Sequence, residues 1–252
     1  MSLGDKLNKI IYTRKVYTRK AKVRALVIIP AYNEQDALLK TVGSVIKAGY
    51  DYVVINDGSS DSTAEICKAN GFNYLDLKEN LGIGGAVQAG HKYALENGYD
   101  VDIQFDGDGQ HDAEYIPALL SEIENGADLV VGSRFLIEQE GFKSTFMRRV
   151  GIKWLCGAIR LSCGLKVTDP TSGFRATGSK ALRLFSYDYP ADYPEPESIV
   201  AAKKKQLNIQ EVQVVMHERQ GGVSSIRFLS SIYYMIKVTL AVLLVGMGRS
   251  KE

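Results

Sequence analysis

The run Asp106-Gly107-Asp108-Gly109-Gln110-His111 is the part of the chain best suited to chemistry. It follows the stretch Val101–Phe105, which reads as a strand, so two carboxylates stand at a strand tip. Carboxylates that close repel unless a cation lies between them. A hard divalent ion, Mg²⁺ or Mn²⁺, resolves this and shares its coordination shell with phosphate oxygens. Asp106, Asp108 and the neutral oxygen of Gln110 are the candidate ligands. The plainer alternative is an acidic turn, because Asp-Gly is a common turn pair. The position at a strand end favours the metal.

Three more polar clusters stand in comparable places. Pro30-Ala31-Tyr32-Asn33-Glu34 closes the apolar run Val23–Ile29. Asn33 and Glu34 could cap the next helix and favour its positive end, or Tyr32 and Glu34 could meet a base and a ribose. Asn56-Asp57-Gly58-Ser59-Ser60-Asp61-Ser62-Thr63 follows a second strand. Capping explains Asp61 and Ser62 but does not require Asp57, whose carboxylate could accept from a base N–H. Ser133-Arg134 follows a fifth strand. Asn80-Leu81-Gly82-Ile83-Gly84-Gly85-Ala86 fails as a dinucleotide fingerprint, since Val87 stands at the third glycine position. A glycine-rich helix start at Gly82 and Gly84 still leaves room for a diphosphate.

The elements that must position these clusters alternate. Strands are expected at 23–29, 51–55, 73–77, 101–105 and 128–131, with helices at 35–48, 61–70, 84–97 and 113–124 between them. That rhythm implies an α/β fold, a mostly parallel sheet flanked by helices. Ligands bind such sheets beyond the carboxyl ends of the strands, where the four clusters lie. The second half is less regular. A helix is expected over 146–161, a turn-rich loop over 169–175, an antiparallel strand over 209–216 and a Gly/Ser loop over 219–225.

Composition narrows the classes. The charge balance, 31 basic against 29 acidic residues, speaks against a nucleic-acid partner. Cys67, Cys156 and Cys163 form no CxxC, so neither a disulfide framework nor a zinc site is expected. No P-loop and no GxSxG elbow occur. The start of the chain lacks the apolar core of a signal peptide, and a cytoplasmic setting is expected. The stretch 228–248 is the most apolar and long enough to span a bilayer, which takes about 20 residues. Lys237 interrupts its centre, at a cost of roughly 2.5–3.5 kcal/mol in a bilayer. A helix lying in the membrane interface fits better, with Lys237 and Arg227 reaching headgroups. A core or oligomer-interface helix is the alternative.

In order and spacing, the clusters at 30–34, 56–63 and 106–111 resemble the glycosyltransferases of family 2, which have the GT-A fold. Gly132-Ser133-Arg134, Asp169-Pro170-Thr171-Ser172-Gly173-Phe174-Arg175 and Arg219-x-x-Gly222-x-Ser224-Ser225 resemble the polyprenyl-phosphate branch, whose relatives include dolichol-phosphate mannose synthases. Asp-Gly-Asp stands here where Asp-Ala-Asp is commoner. Tyr193-Pro194-Glu195-Pro196-Glu197 is similar to a segment of small bacterial members, and no role is assigned to Glu195 or Glu197. No QxxRW motif occurs, which points to addition of a single sugar.

The resemblance implies a GT-A nucleotide-diphospho-sugar transferase domain over 23–226. A basic segment, 1–22, precedes it, and an apolar membrane-associating or oligomer-interface helix, 227–252, follows. Pro30, Ala31, Tyr32, Glu34, Asp57, Gly82, Gly84 and Asp106 would surround the nucleotide-sugar donor. Asp106, Asp108 and Gln110 would hold Mg²⁺ or Mn²⁺ against its diphosphate. Arg134, Arg175 and Arg219 are the candidates for the phosphate of a polyprenyl-phosphate acceptor, since guanidinium forks match phosphate oxygens. Asp169 would orient the acceptor or one of these arginines. The expected activity is inverting transfer of one sugar, glucose or N-acetylglucosamine from a uridine nucleotide, to undecaprenyl phosphate for cell-envelope polysaccharide. The work would be done at the cytoplasmic face of the plasma membrane. A homo-oligomer through the C-terminal helix is a further expectation. The alternatives are transfer to a saccharide or lipid-linked saccharide, which needs a carboxylate base such as Asp169, Glu195 or Glu197, and a non-catalytic nucleotide-sugar scaffold.

Overall fold

A computed structural model describes residues 23–137, 146–217 and 228–247. Strand β1 (Ala25–Ala31) is buried from Leu26 onward, which is why it reads as an unbroken apolar run rather than an alternating one. Its side chains still divide by the period of two. Val27 and Ile29 enter one core with Leu38, Val42 and Val45 of α1 (Leu38–Lys47). Leu26 and Ile28 enter a second core with Ala86 and Ala94 of α3 (Gly82–Glu96).

The sheet runs β3-β2-β1-β4-β6-β5-β7, with β2 at Asp51–Asp57, β3 at Tyr74–Leu77 and β4 at Val101–Gln104. These pair in parallel with β1 or with one another. Helix α2 (Thr63–Ala69) follows β2, and α4 (Ile116–Glu124) leads to β5 (Leu129–Ser133). The expected α/β architecture is present, and all the loops after β1, β2, β4 and β5 leave at one edge.

The second half corrects the sequence reading in two places. Arg175–Gly178 is not the end of a loop but strand β6, fully buried and antiparallel to both β4 and β5. Arg, Thr and Gly within four residues carry no strand pattern, and the pairing comes from the neighbours on either side. Ile209–Gln213 forms β7, but it runs parallel to β5, not antiparallel. Between β5 and β7 lie β6, α6 (Ser179–Tyr187) and α7 (Pro194–Lys204), a connection long enough to bring the chain back for parallel pairing.

Helix α5 (Phe146–Cys163) packs against α8 (Phe228–Met247). Val238 and Val242 of α8 are fully buried in a third core with Leu155 and Ile159 of α5 and Ile199 of α7. Lys204 on α7 also donates to the Val245 carbonyl at 2.8 Å. The apolar C-terminal helix is thus docked on the α/β body. Among the described residues no helix is long and apolar enough to cross a membrane.

Candidate active site

A cleft of about 780 Å³ lies beyond β1, β2 and β4. Pro30, Ala31, Tyr32, Glu34, Asp57, Gly82, Asp106 and Asp108 line it, so most of the expected donor and metal residues meet there. Two loops form one wall by bonding to each other. Asn33 adopts a left-handed backbone, φ 56°, a conformation Asn tolerates better than most residues. Its Oδ1 accepts from the backbone N–H groups of Ser60 and Asp61 at 2.8 and 3.3 Å. Asn33 therefore caps the loop after β2, not its own helix. Asp61 answers by accepting from the N–H groups of Gln35 and Thr63.

Asp57 is buried, and its Oδ1 accepts from the Leu81 N–H at 2.7 Å. Burial raises its pKa, while the backbone N–H groups of Leu81 and Gly82 oppose that rise. Gly58 is needed beside it. Its φ is +64°, and a Cβ there would come within 2.8 Å of the Asn80 nitrogen. Gly84 departs from expectation, since it is absent from the cleft wall. A Cβ on it would collide with the backbone of Pro190 and Ala191. Its smallness serves the packing of α3, whereas Gly82 does reach the cleft.

The acidic tip is shaped by a residue to which the sequence reading gave no role. The Asp106 N–H donates to His111 Nδ1 at 2.9 Å, so the proton of the neutral ring sits on Nε2. The His111 ring stacks on Phe174, 4.8 Å between centroids at 15°, and meets the edge of Phe105. Burial lowers the His111 pKa against the pull of Asp106 and Asp108. The neutral imidazole folds the loop back so that its acidic residues stay at the cleft. Gly173, from the distant 169–175 segment, leaves space in front of Asp106, because a Cβ there would fall 2.7 Å from Oδ2.

Asp106 and Asp108 make a hard oxygen pair suited to Mg²⁺ or Mn²⁺. Gln110 is placed otherwise: its Nε2 donates to the His217 carbonyl at 3.3 Å, and its N–H donates to Asp108 Oδ1. The backbone N–H of Gln110 thus steadies Asp108, and the amide nitrogen of its side chain is held by the His217 carbonyl. Among the described residues no group of three or more His, Cys, Asp or Glu is arranged to hold a metal. The acidic residues at this tip are the two carboxylates, so a metal held there would take its other oxygens from Gln110, diphosphate or water.

Beyond β5, Arg134 and Asp169 form a buried fork-to-fork pair. Nε reaches Oδ2 at 2.6 Å and Nη2 reaches Oδ1 at 2.8 Å. The Arg134 backbone N–H also donates to Oδ2, and Nη2 to Thr171 Oγ1. Asp169 thus orients Arg134. Arg175 is different: burial lowers its pKa, and its guanidinium is committed within the protein. It donates to the carbonyls of Ser172 and Pro170 and to Ser198 Oγ, at 2.7 to 3.1 Å. Only 2% of it is exposed, and its Nε, Nη1 and Nη2 each donate to a protein oxygen. It ties the 170–172 turn to α7. Arg219 lies outside the described residues, as do Gly222, Ser224, Ser225 and Arg227.

Glu195 enters from the first turn of α7. Its carboxyl is pushed up by burial and pulled down by Arg175, and Gln104 donates to it. The Gln104 amide also donates to Asp106 Oδ1 at 3.2 Å. Gln104 is buried in β4 and joins the two carboxylates. Neither Gln104 nor His111 was legible beforehand as a site residue, although His111 lay within the acidic motif itself.

The profile described as "Glycosyl transferase family 2" matches residues 26–185. The UDP-N-acetylglucosamine–dolichyl-phosphate N-acetylglucosaminyltransferase of Methanococcus voltae is 34% identical over 208 residues, 74% of this chain and 83% of that protein. The polyprenol monophosphomannose synthase of Mycolicibacterium smegmatis is 30% identical over 212 residues, 80% of each. Glucosyl-3-phosphoglycerate synthase from Mycobacterium tuberculosis, crystallised with Mn²⁺, UDP and phosphoglyceric acid, superposes with a TM-score of 0.69 at 21% identity. That likeness covers 92% of this chain and 81% of that one, and it speaks for the shared GT-A fold alone.

Proposed function

Because the chain belongs to glycosyltransferase family 2, we propose that it moves one sugar from a nucleotide-sugar to a polyprenyl monophosphate. One juxtaposition carries this reading. The acidic tip of β4 lines the cleft, and the charges of Asp106, Asp108 and Arg134, the last clamped by buried Asp169, all act on the one His111 ring. Three names support the acceptor class, those of the two relatives above and that of the undecaprenyl-phosphate mannosyltransferase of Micrococcus luteus, 35% identical over 175 residues, since each names a polyprenyl or dolichyl carrier.

In this reading a phosphate oxygen attacks the anomeric carbon from the face opposite the diphosphate. The bond from that carbon to the diphosphate oxygen breaks, the nucleoside diphosphate leaves with the electron pair, and the configuration inverts. The phosphate is already ionised at pH 7, so no strong general base is required. What the protein must do is hold two anions together. Arg134 would meet the acceptor phosphate, and Arg219 would join it. Asp57, Tyr32 and Glu34 would hold the nucleoside. Asp106 and Asp108 would hold Mg²⁺ or Mn²⁺, which when bound neutralises charge on the leaving diphosphate. A UDP-linked glucose or N-acetylglucosamine is the donor proposed. The Methanococcus relative's name supports uridine, although two other relatives are named for mannose.

The placement proposed is peripheral, on the cytoplasmic face of the plasma membrane. Trp154 and Leu161 of α5 and Ile236, Leu240, Leu244 and Met247 of α8 are more than half exposed. Lys153, Arg160 and Lys237 stand exposed among them. An apolar helical face with interspersed cations suits a headgroup layer. The catalytic domain would then run over 23–226, with the helical segment 227–252 docked on it.

The test is a product assay. Purified protein, Mn²⁺ or Mg²⁺ and short-chain polyprenyl monophosphate are offered UDP-, GDP- and dTDP-sugars, and the lipid product is followed by mass spectrometry. An acid-labile sugar-phosphate lipid from one donor is expected. An acid-stable product would move the reading to a hydroxyl acceptor with Glu195 as its base, since that carboxyl has a raised pKa near Asp106. Donor binding without turnover would leave a scaffold.

A further inference from the structure

Glu211 lies on β7, opposite Val131 of β5, outside every motif considered so far. Its carboxylate accepts from three donors on one turn. The Thr168 N–H lies 2.9 Å from each oxygen, and Thr168 Oγ1 and the Asp169 N–H lie 3.0 Å from Oε1. The chain of hydrogen bonds continues with one direction. Thr168 Oγ1 is 2.6 Å from Ser133 Oγ. Since Thr168 gives its hydroxyl proton to Glu211, Ser133 must donate to Thr168. Ser133 Oγ in turn accepts from the Phe135 N–H at 3.2 Å. A run of bonds ending on a carboxylate is charge-assisted, and its members polarise one another.

The two chain neighbours of Arg134, Ser133 and Phe135, are therefore tied to Glu211, and so is the backbone of Asp169, which clamps the Arg134 guanidinium. We propose that Glu211 is a positioning residue for acceptor binding: it sets the turn that aims Arg134. The inference rests on Arg134 meeting the acceptor phosphate, as proposed above.

Electrostatics alone predicts the opposite effect. Glu211 and Asp169 put two negative charges behind Arg134, which disfavours an anionic acceptor. Removing Glu211 would then lower the acceptor KM. If Glu211 acts by position, removing it raises that KM.

The experiment measures KM for short-chain polyprenyl monophosphate and, separately, for the nucleotide-sugar, with the full-length chain. Glu211→Ala should raise the acceptor KM roughly tenfold, as expected for misplacing a binding group by a fraction of an ångström. The donor KM should stay within about twofold. In an Arg134→Ala background, Glu211→Ala should add nothing further, because coupled residues are not additive. Glu211→Gln keeps the volume and one acceptor oxygen and should give a smaller rise, which preserves the test if the alanine variant does not fold. A fall in acceptor KM, equal rises for donor and acceptor, or full additivity with Arg134→Ala would overturn the inference. If Arg134→Ala itself leaves the acceptor KM unmoved, the proposed function of that site fails and takes the inference with it. If Arg134→Ala raises it and Glu211→Ala does not, only the inference fails.

Discussion

The two walls of the site are built in different ways. The wall proposed for the donor, after β1 and β2, consists of short loops whose side chains bond mainly to backbone N–H groups. Asn33 holds residues 60 and 61, Asp61 holds 35 and 63, and Asp57 holds 81. The wall proposed for the acceptor, after β5 and before β6, is built around buried charged side chains, some held across longer sequence separations. Arg134 is clamped by Asp169, and Arg175 reaches Ser198. A wall of backbone caps tolerates change in steps, one loop at a time. A wall of coupled buried charges fails as a unit, since removing one partner leaves the other uncompensated.

Variants on the two sides should separate along that line. The largest effect belongs to the acidic tip between them. Asp108→Asn should reduce turnover by roughly a thousandfold or more with the melting temperature nearly unchanged, and chelation by EDTA should do the same until Mn²⁺ or Mg²⁺ is restored. Unchanged turnover in either case would remove the metal from the proposed reaction.

Arg175→Met comes next and should act on stability. It strips a donor from two carbonyls and from Ser198 Oγ, leaving buried acceptors unmet at a cost of about 3 kcal/mol. Thermal unfolding should show a drop of roughly 6–12 °C. An unchanged melting temperature with a raised acceptor KM would instead make Arg175 a phosphate ligand. On the donor wall, Gly58→Ala should cost about 1–3 kcal/mol and raise the donor KM while sparing the acceptor KM. Loss of both would show that the walls are not independent.

The smallest effect tests rigidity. Cys156 Sγ lies 3.7 Å from the Thr168 carbonyl, and burial, with the charges of Glu211 and Asp169, pushes its thiol up to about 11. At pH 8 about a thousandth of it is thiolate. Iodoacetamide should leave Cys156 unlabelled in the native protein, and rapid labelling would show that the Thr168–Asp169 turn opens.

The same contrast governs how much could be read in advance. Tyr32, Glu34, Asp57, Asp106 and Asp108 were identifiable because each stands within a few residues of the end of a strong apolar strand. Helix α1 was equally plain, since Leu38, Val42 and Val45 recur on one face. The burial of Arg175 is not legible in the sequence, because an arginine in a Gly/Ser/Pro-rich turn carries no mark of it. The neighbour of Gly84 is the backbone at 190–191, far along the chain, which no local pattern around Gly84 announces. The direction of β7 is not legible either, because alternation shows a half-buried strand but not the polarity of its partner.

By itself, the sequence determined the class of the fold, the strand tips at which chemistry gathers, and the pair of carboxylates that a cation would neutralise. These rest on periodicity and on spacings of a few residues, which survive without coordinates. Only the tertiary structure decided that β6 turns back between β4 and β5. That insertion delivers Gly173 to Asp106, Asp169 to Arg134 and Arg175 into the interior. Which groups meet across 35 or 42 residues, as Arg134 meets the Asp169 carboxylate and Glu211 the Asp169 N–H, is set by sheet order. Sheet order follows from the joint burial of whole elements, not from any local run of residues.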